Sequence, residues 1–353
     1  MKNRIKGKST LILLLTLLMA LSIMSGCGSS GKSQDDATGG DSVTEEITFT
    51  LNISYSGGLY EDLMTDIANK VSELSDGRIK GRVIASGTMG SEREVGEAVQ
   101  LGTLDMAYLS DNGAETLVGG LGWAFLPYMI SSYEEADKYI NSGWVRKEVW
   151  KSLEKANLIG IAACENGFRN FGSATAPVNN FADFKGQKVR VPEQADLLRF
   201  YELCGALPVG IAGSEVVTAL EQKTIDAVDN SIYNFKANGY MDSLKYVTIT
   251  NHQYTSNNIV VSRNFWESLS QEDQDIIRQA AEYACQNYTK TRREGEEQVI
   301  KEYKDKGYVF VEPSSEFQAE LKKVARQIWD EFGSKYDAAI MERIVKEFGD
   351  NLN

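Results

Sequence analysis

Two side chains in this sequence combine a type and a position suited to holding a ligand: Arg190, at the end of a short strand, and Asn230, at the end of another. Lys188-Val189-Arg190-Val191 alternates polar and apolar residues as a half-buried strand does, and Pro192 then stops the ladder because it has no N–H to donate. Arg190 thus stands at a strand's carboxyl end, which is where open α/β sheets bind ligands. A guanidinium is a planar fork of donors that matches a carboxylate with two parallel hydrogen bonds, a geometry that lysine cannot reproduce. On pattern alone, a solvated strand-end arginine is the favoured reading of Arg190. Asn230 follows a second short strand, Ile225 to Val228. It carries a donor and an acceptor, so it can read a hydroxyl or a carboxylate oxygen without adding charge.

Other chemistries are excluded by what the sequence lacks. His252 is the single histidine, and one imidazole among dispersed acids offers no zinc-site spacing. There is no G-x-S-x-G elbow, and the Walker and dinucleotide glycine spacings occur at Gly26 to Ser33, where the signal's apolar run gives way to a small, polar stretch and the strand–turn–helix context either motif needs is missing. Cys27, Cys164, Cys204 and Cys285 form no C-x-x-C, so neither a zinc site nor a disulfide framework is indicated. Cys164, Cys204 and Cys285 lie in apolar contexts and read as buried free thiols, although an oxidising compartment would allow one pair to close. The expectation is a binding protein with no metal and no cofactor.

The elements that position Arg190 and Asn230 alternate between strand and helix. Ile47 to Ser54 reads as a strand, Leu59 to Leu74 as a helix with Leu63, Ile67, Val71 and Leu74 on one face, and Ile79 to Ala85 as the next strand. A helix from Glu92 to Leu101 and a strand from Leu104 to Leu109 complete a β-α-β-α-β succession, which predicts a largely parallel, doubly wound sheet. Tyr133 to Leu153 reads as two helical pieces broken near Gly143, and Leu158 to Cys164 as an apolar strand. Ser214 to Gln222 reads as a helix with Ser214 as its N-cap. Tyr246 to Thr250 and Ile259 to Ser262 are strands. Gln271 to Tyr303 sustains helical character for longer than an ordinary globular helix, with Ser270 ahead of Asp273 as a cap. It reads either as one bridging helix bent at Gly295 or as two helices broken near Arg293 to Gly295.

The segments around Arg190 and Asn230 resemble the solute-binding subunits of tripartite ATP-independent periplasmic (TRAP) transporters, the DctP-like family. Asp183-Phe184-Lys185-Gly186-Gln187-Lys188-Val189-Arg190-Val191-Pro192 follows that family's D-x-K-G-x-K-x-R-V-P. Glu215 to Asn230 follows its E-V-x-x-A-L-x-x-x-x-x-D-G-x-E-N, with Ala227 where glycine is common and Asp229 where glutamate is common. Gly87 to Glu94, Leu104-Asp105-Met106, Leu126-Pro127-Tyr128 and Thr250-Asn251-His252 extend the likeness from about Glu46 to the C-terminus. The resemblance implies a two-domain α/β periplasmic-binding-protein-like fold, with a ligand cleft between the domains and a long bridging helix. Residues 46–167 plus 255–295 would form one domain and 168–254 plus 296–353 the other. It further implies that Arg190 anchors a small organic acid, that Arg169 adds a second charge-assisted bond, and that Asn230 reads a further oxygen. Glu92 would contribute from the first domain on closure. Asp229 would accept from sugar hydroxyls or neutralise Arg169, and His252 would be structural; by position, Tyr55, Tyr233 and Phe235 read either as walls of the pocket or, as aromatics there more often are, as core. The implied partners are the acid, a uronate or other sugar acid ahead of a C4-dicarboxylate or 2-oxo acid, and the transporter's membrane subunits. A sensor subunit serving a signalling system would use the same cleft.

The first 45 residues place the chain outside the cytoplasm. Lys2, Arg4, Lys6 and Lys8 precede an apolar run, Leu11 to Ile23, that is short for a bilayer span, so residues 1–26 read as a secretory signal. Met24-Ser25-Gly26-Cys27 resembles a bacterial lipobox, with Cys27 lipidated and anchored to the membrane's outer face by its acyl chains. Residues 27–45 are small and polar, and read as a disordered tether. Without the signal, 33 Lys plus Arg face 50 Asp plus Glu, a net charge of −17. Such a surface argues against nucleic acid as a partner, and it requires any acid-binding site to concentrate positive charge locally.

Overall fold

The structure is a computed structural model that describes residues 46–55, 57–84 and 87–352. The signal, the lipobox with Cys27 and the whole of the tether lie outside the described residues. In chain order the elements are β1 (Ile47–Asn52), α1 (Leu59–Leu74), β2 (Ile79–Val83), α2 (Glu92–Gln100), β3 (Met106–Ser110), α3 (Asp111–Val118), α4 (Tyr133–Ile140), α5 (Gly143–Glu154), β4 (Leu158–Ser173), β5 (Lys188–Val191) and α6 (Ala195–Leu203). There follow β6 (Leu207–Gly210), α7 (Val216–Glu221), β7 (Ala227–Ser231), α8 (Ile232–Ala237), β8 (Tyr246–Ser262), α9 (Arg263–Ser268), α10 (Gln271–Asp305), β9 (Val309–Val311), α11 (Ser315–Gly333) and α12 (Ala338–Phe348).

The strands form one sheet in the order β2-β1-β3-β8-β4-β7-β5-β6, with β9 added on β8. Each end of the sheet is a parallel unit: β2, β1 and β3 at one end, and β7, β5 and β6 at the other. The middle is antiparallel, so the largely parallel sheet predicted from the β-α-β succession holds only within each end. Two long strands account for the difference. β4 continues well past the predicted Cys164, and β8 joins the two predicted strands, so the pair runs antiparallel from Leu158 opposite Ser262 to Ser173 opposite Tyr246. Register shifts between Gly160 and Ala162, Glu165 and Gly167, and Arg169 and Phe171 interrupt it. Gly167 sits at φ +92°, a conformation that side chains disfavour, at one of these interruptions.

Local sequence explains the helices that carry the site. α1 buries Leu63, Ile67 and Val71 at helical spacing. α2 opens with a capping box in which the Ser91 hydroxyl accepts from Glu94 N–H and the Glu94 carboxylate accepts from Ser91 N–H. α10 opens with Ser270 accepting from Asp273 N–H, then runs unbroken for 35 residues. There is no break near Arg293. A Cβ on Gly295 would come within 2.7 Å of the Tyr233 ring, so this glycine serves a close approach to α8. Ser214 is not an N-cap: it lies inside a 3₁₀ turn, Gly213–Glu215, that leads into α7. α10 also bridges two cores. Ile277, Ala281, Ala284 and Tyr288 pack with β1 and α1, whereas Val299 and Tyr303 pack with Val216, Phe235 and Leu244. Burying side chains of this size contributes about 1.5–3 kcal/mol each, so the helix is fixed at both ends. No helix among the described residues is long and apolar enough to cross a membrane.

Candidate functional site

The carboxyl ends of strands from both ends of the sheet converge on one cavity. Tyr55 follows β1, Ser110 ends β3, Arg190 lies near the end of β5 and Pro192 just after it, Ile211 follows β6, and Asn230 lies near the end of β7; all line it. Glu92 enters from the first turn of α2, and Asn166 and Arg169 from the middle of β4. A Cβ on Gly213 would lie 2.7 Å from the Tyr55 hydroxyl, so the segment after β6 closes directly over the segment after β1.

The two arginines have opposite surroundings. Arg169 is 2% exposed and paired with Asp229: its Nε and Nη2 meet the carboxylate, and Nη2 also donates to the Asp229 carbonyl at 2.7 Å. Arg190 is 4% exposed, yet its Nε donates to the Ile211 carbonyl at 2.9 Å, and no carboxylate among the described residues lies within ion-pairing distance. Burial lowers the Arg190 pKa, Arg169 adds repulsion, and Tyr240, Tyr55 and Asp229 pull the other way. A guanidinium keeps its proton in any protein. Arg190 therefore presents a largely desolvated positive charge to the cavity.

Asp229 does not line the cavity. It is fully buried behind Arg169, where Oδ2 accepts from the Tyr201 hydroxyl at 2.7 Å and lies 2.7 Å from His252 Nε2. Burial pushes its carboxyl up, but Arg169, His252 and Tyr201 outweigh that and hold it at about 2. The ring of His252 stacks on Phe200, and Thr250 Oγ1 lies 2.8 Å from its Nδ1. Of the two roles raised for Asp229, the geometry matches neutralisation of Arg169. Tyr233 lies outside the cavity too, against Gly295 and the Arg292 guanidinium, and Phe235 packs in the apolar core.

Glu92 and Tyr55 form the opposing wall. Glu92 accepts from Ser110 N–H at 2.6 Å, from the Ser110 hydroxyl at 2.8 Å and from the Tyr55 hydroxyl at 2.9 Å. Burial pushes its carboxyl up, opposed by Ser110, Tyr55 and Arg190. Burial and the Glu92 charge raise the Tyr55 pKa well above its usual range, so Tyr55 remains a donor. A carboxylate has about four lone-pair sites, and three of the Glu92 sites are used, which leaves acceptor capacity beside the cavity.

Sequence reasoning missed Tyr60, Ser110, Asn166 and Asn234, all of which line the cavity. Tyr60 was hidden on the apolar face of α1. Asn234 could have been found, because it stands one helical turn beyond Asn230 across the β7–α8 junction.

A family model described as bacterial extracellular solute-binding protein, family 7 (DctP) matches residues 56–335. The sialic acid-binding periplasmic protein SiaP of Vibrio cholerae is 25% identical over 305 residues, covering 86% of this chain and 94% of SiaP. The C4-dicarboxylate-binding protein DctB of Bacillus subtilis is 27% identical over 280 residues, covering 78% of this chain and 80% of DctB. The crystal structure of a TRAP periplasmic solute-binding protein from Polaromonas, bound to D-erythronate, superposes with a TM-score of 0.79 at 26% identity, covering 85% of this chain and 98% of that one. With its cleft, its bridging helix and its long crossing strands, the chain belongs to the DctP family and is an extracytoplasmic solute-binding receptor of the TRAP type, not an enzyme.

Proposed function

We propose that this receptor captures a hydroxylated monocarboxylic acid of the sugar-acid type and delivers it to the membrane subunits of a TRAP transporter. The observation that carries the reading is the buried, unpaired guanidinium of Arg190 at the carboxyl end of β5. A buried charge is costly unless it is paired, and an incoming carboxylate supplies the partner. Asn230 and Arg169 flank the anchor, and Glu92 offers an acceptor to ligand hydroxyls. A second carboxylate would find Arg169 already neutralised by Asp229 and would meet the Glu92 charge. This favours a hydroxylated monoacid over a diacid, in keeping with the sialic acid and D-erythronate named for two of the similar proteins. The C4-dicarboxylate of DctB is the second reading.

In the domain division 46–167 plus 255–295 and 168–254 plus 296–353, the cores that α10 joins fall one to each side, while a third core, with Val95, Phe125, Phe171 and Phe317, draws residues from both. Tyr55 and Glu92 then meet Arg190 and Asn230 across a cleft, and a ligand that contacts both walls favours the closed state. Cys27 would hold the receptor at the membrane through its acyl chains.

Thermal unfolding of the chain from residue 28 onward, against uronates, aldonates, sialic acid, dicarboxylates, 2-oxo acids, neutral sugars and amino acids, tests the reading, because a ligand raises the melting temperature by mass action. A shift confined to hydroxylated monoacids is the expected result. Shifts with dicarboxylates alone would overturn the monoacid assignment, and shifts with neutral sugars alone would overturn the carboxylate anchor.

A further inference from the structure

Asn234 sits at a junction that ligand capture alone does not explain. It is 3% exposed and uses its whole amide. Oδ1 accepts from the Tyr60 hydroxyl on α1 at 2.8 Å and from Arg292 Nη1 on α10 at 2.9 Å. Nδ2 donates to Asn166 Oδ1 on β4 at 2.9 Å and to Asn230 Oδ1 on β7 at 3.0 Å. One amide thus ties together α1, β4, β7 and α10 at the floor of the cavity.

The direction of this network follows from chemistry. Arg292 is donor-only, so whatever faces its Nη1 must be an acceptor, which fixes the Asn234 oxygen toward α10 and the Asn234 NH₂ toward Asn230 and Asn166. The atom of Asn230 that faces Asn234 must then be its oxygen. The Asn230 oxygen also accepts from the Ser231 backbone N–H at 2.9 Å, a second donor-only group. With Oδ1 held twice, the Asn230 NH₂ is the part left for the cavity, and no group among the described residues takes it.

We propose that Asn234, itself oriented by Arg292, is a positioning residue that turns Asn230 so that it presents only a donor to the ligand. The inference rests on the carboxylate-receptor reading and narrows it: Asn230 reads an acceptor, an acid or hydroxyl oxygen, and joins Arg190 in a donor pole opposite the acceptor Glu92.

Neutron diffraction from the unliganded receptor distinguishes nitrogen from oxygen and needs no ligand. The Asn230 NH₂ pointing into the cavity is the expected result; its oxygen there would overturn the proposal. Two variants then separate positioning from packing, with D-glucuronate, D-galactonate and sialic acid as calorimetric probes. Asn234→Asp keeps the shape and still accepts from Tyr60 and Arg292, but it sets a carboxylate against the Asn230 oxygen and so displaces or reverses that amide. Asn234→Ala removes the junction and leaves Ser231 N–H to hold Asn230. Positioning predicts that Asn234→Asp loses about ten-fold or more in acid affinity, the scale of a hydrogen bond to a charged group. It also predicts that Asn234→Asp loses more affinity than Asn234→Ala while keeping the higher melting temperature of the two. A packing role alone gives Asn234→Ala the larger loss in both, which would sink the proposal. If the wild-type receptor binds none of the acids, the functional reading fails, and the neutron maps still decide the orientation of Asn230.

Discussion

Arg169 and Arg190 line the same cavity and are almost equally buried, yet one has its counter-charge built into the fold and the other does not. Arg169 leans on Asp229, which Tyr201 and His252 brace from behind. Among the described residues, Arg190 has only a backbone carbonyl. Burying an ion without a partner costs several kcal/mol, and the cost is recovered only when an opposite charge arrives in good geometry. Under the monoacid proposal, the difference teaches how a receptor could hold two guanidiniums side by side and still select for one negative charge. On the reading proposed above, the paired arginine shapes the wall and the unpaired one supplies the driving force for capture.

The sharpest way to break this comparison is to free the paired arginine. Asp229→Asn leaves Arg169 buried without its carboxylate, and the fold should lose about 3–5 kcal/mol, read as a lower urea midpoint. Molecules that still fold then hold two free guanidiniums, so dicarboxylates should gain in calorimetric affinity relative to monocarboxylates. An unchanged preference would mean that pairing is not what separates the two arginines. Removing the unpaired one comes next. Arg190→Ala should weaken acid binding by about 2–5 kcal/mol while the urea midpoint without ligand holds or rises, because an uncompensated buried charge has gone. A lowered midpoint with intact affinity would reverse the roles assigned to the two residues. Arg190→Lys should fall between wild type and alanine, since it keeps the charge and loses the fork; wild-type affinity would show that charge alone suffices.

Legibility in the sequence divides along the same line. The strand Lys188–Val191 and the helix Leu59–Leu74 have the boundaries that alternation and apolar spacing predict, because each is a local pattern buried on a defined face. α3, α6 and β6 passed unread, being short elements whose existence depends on the chain already folded around them. The central strands were underestimated for a related reason. Polar Glu165, Asn166, Arg169, Asn170, Asn257 and Asn258 interrupt the apolar signal of β4 and β8, but each is buried in the structure. Their partners come from far along the chain, as when Asp111 accepts from Ser256 N–H and Asn258 Nδ2. Arg190, Arg169, Asn230, Glu92 and Tyr55 meet in the cavity. What spacing could not reveal is which arginine would be neutralised, because Asp229 could have faced the cavity or the core, and only its contacts with Tyr201 and His252 place it behind Arg169.

The smallest expected effect is also the one that sets two carboxyls of the same region against each other. Asp229 is held at about 2 against an ordinary 3.8. A carboxyl with a depressed pKa contributes stability that is fully present above about pH 4 and lost as pH falls through 2, by about 2 kcal/mol in total. Glu92 has the opposite sign: burial raises its pKa, so its charged form costs stability at neutral pH, and that cost is relieved as pH falls through its raised value. Urea midpoints measured from pH 7 to pH 2 should therefore fall more steeply below pH 4 in the wild type than in Asp229→Asn, with the two curves converging at the acid end. Glu92→Gln should approach the wild-type midpoint from above as the pH is lowered. Parallel curves for the wild type and Asp229→Asn would show that Asp229 carries no proton-linked stability. The clamp on Arg169 would then be a matter of shape rather than charge, and the contrast with Arg190 would have to be rebuilt from hydrogen-bond geometry.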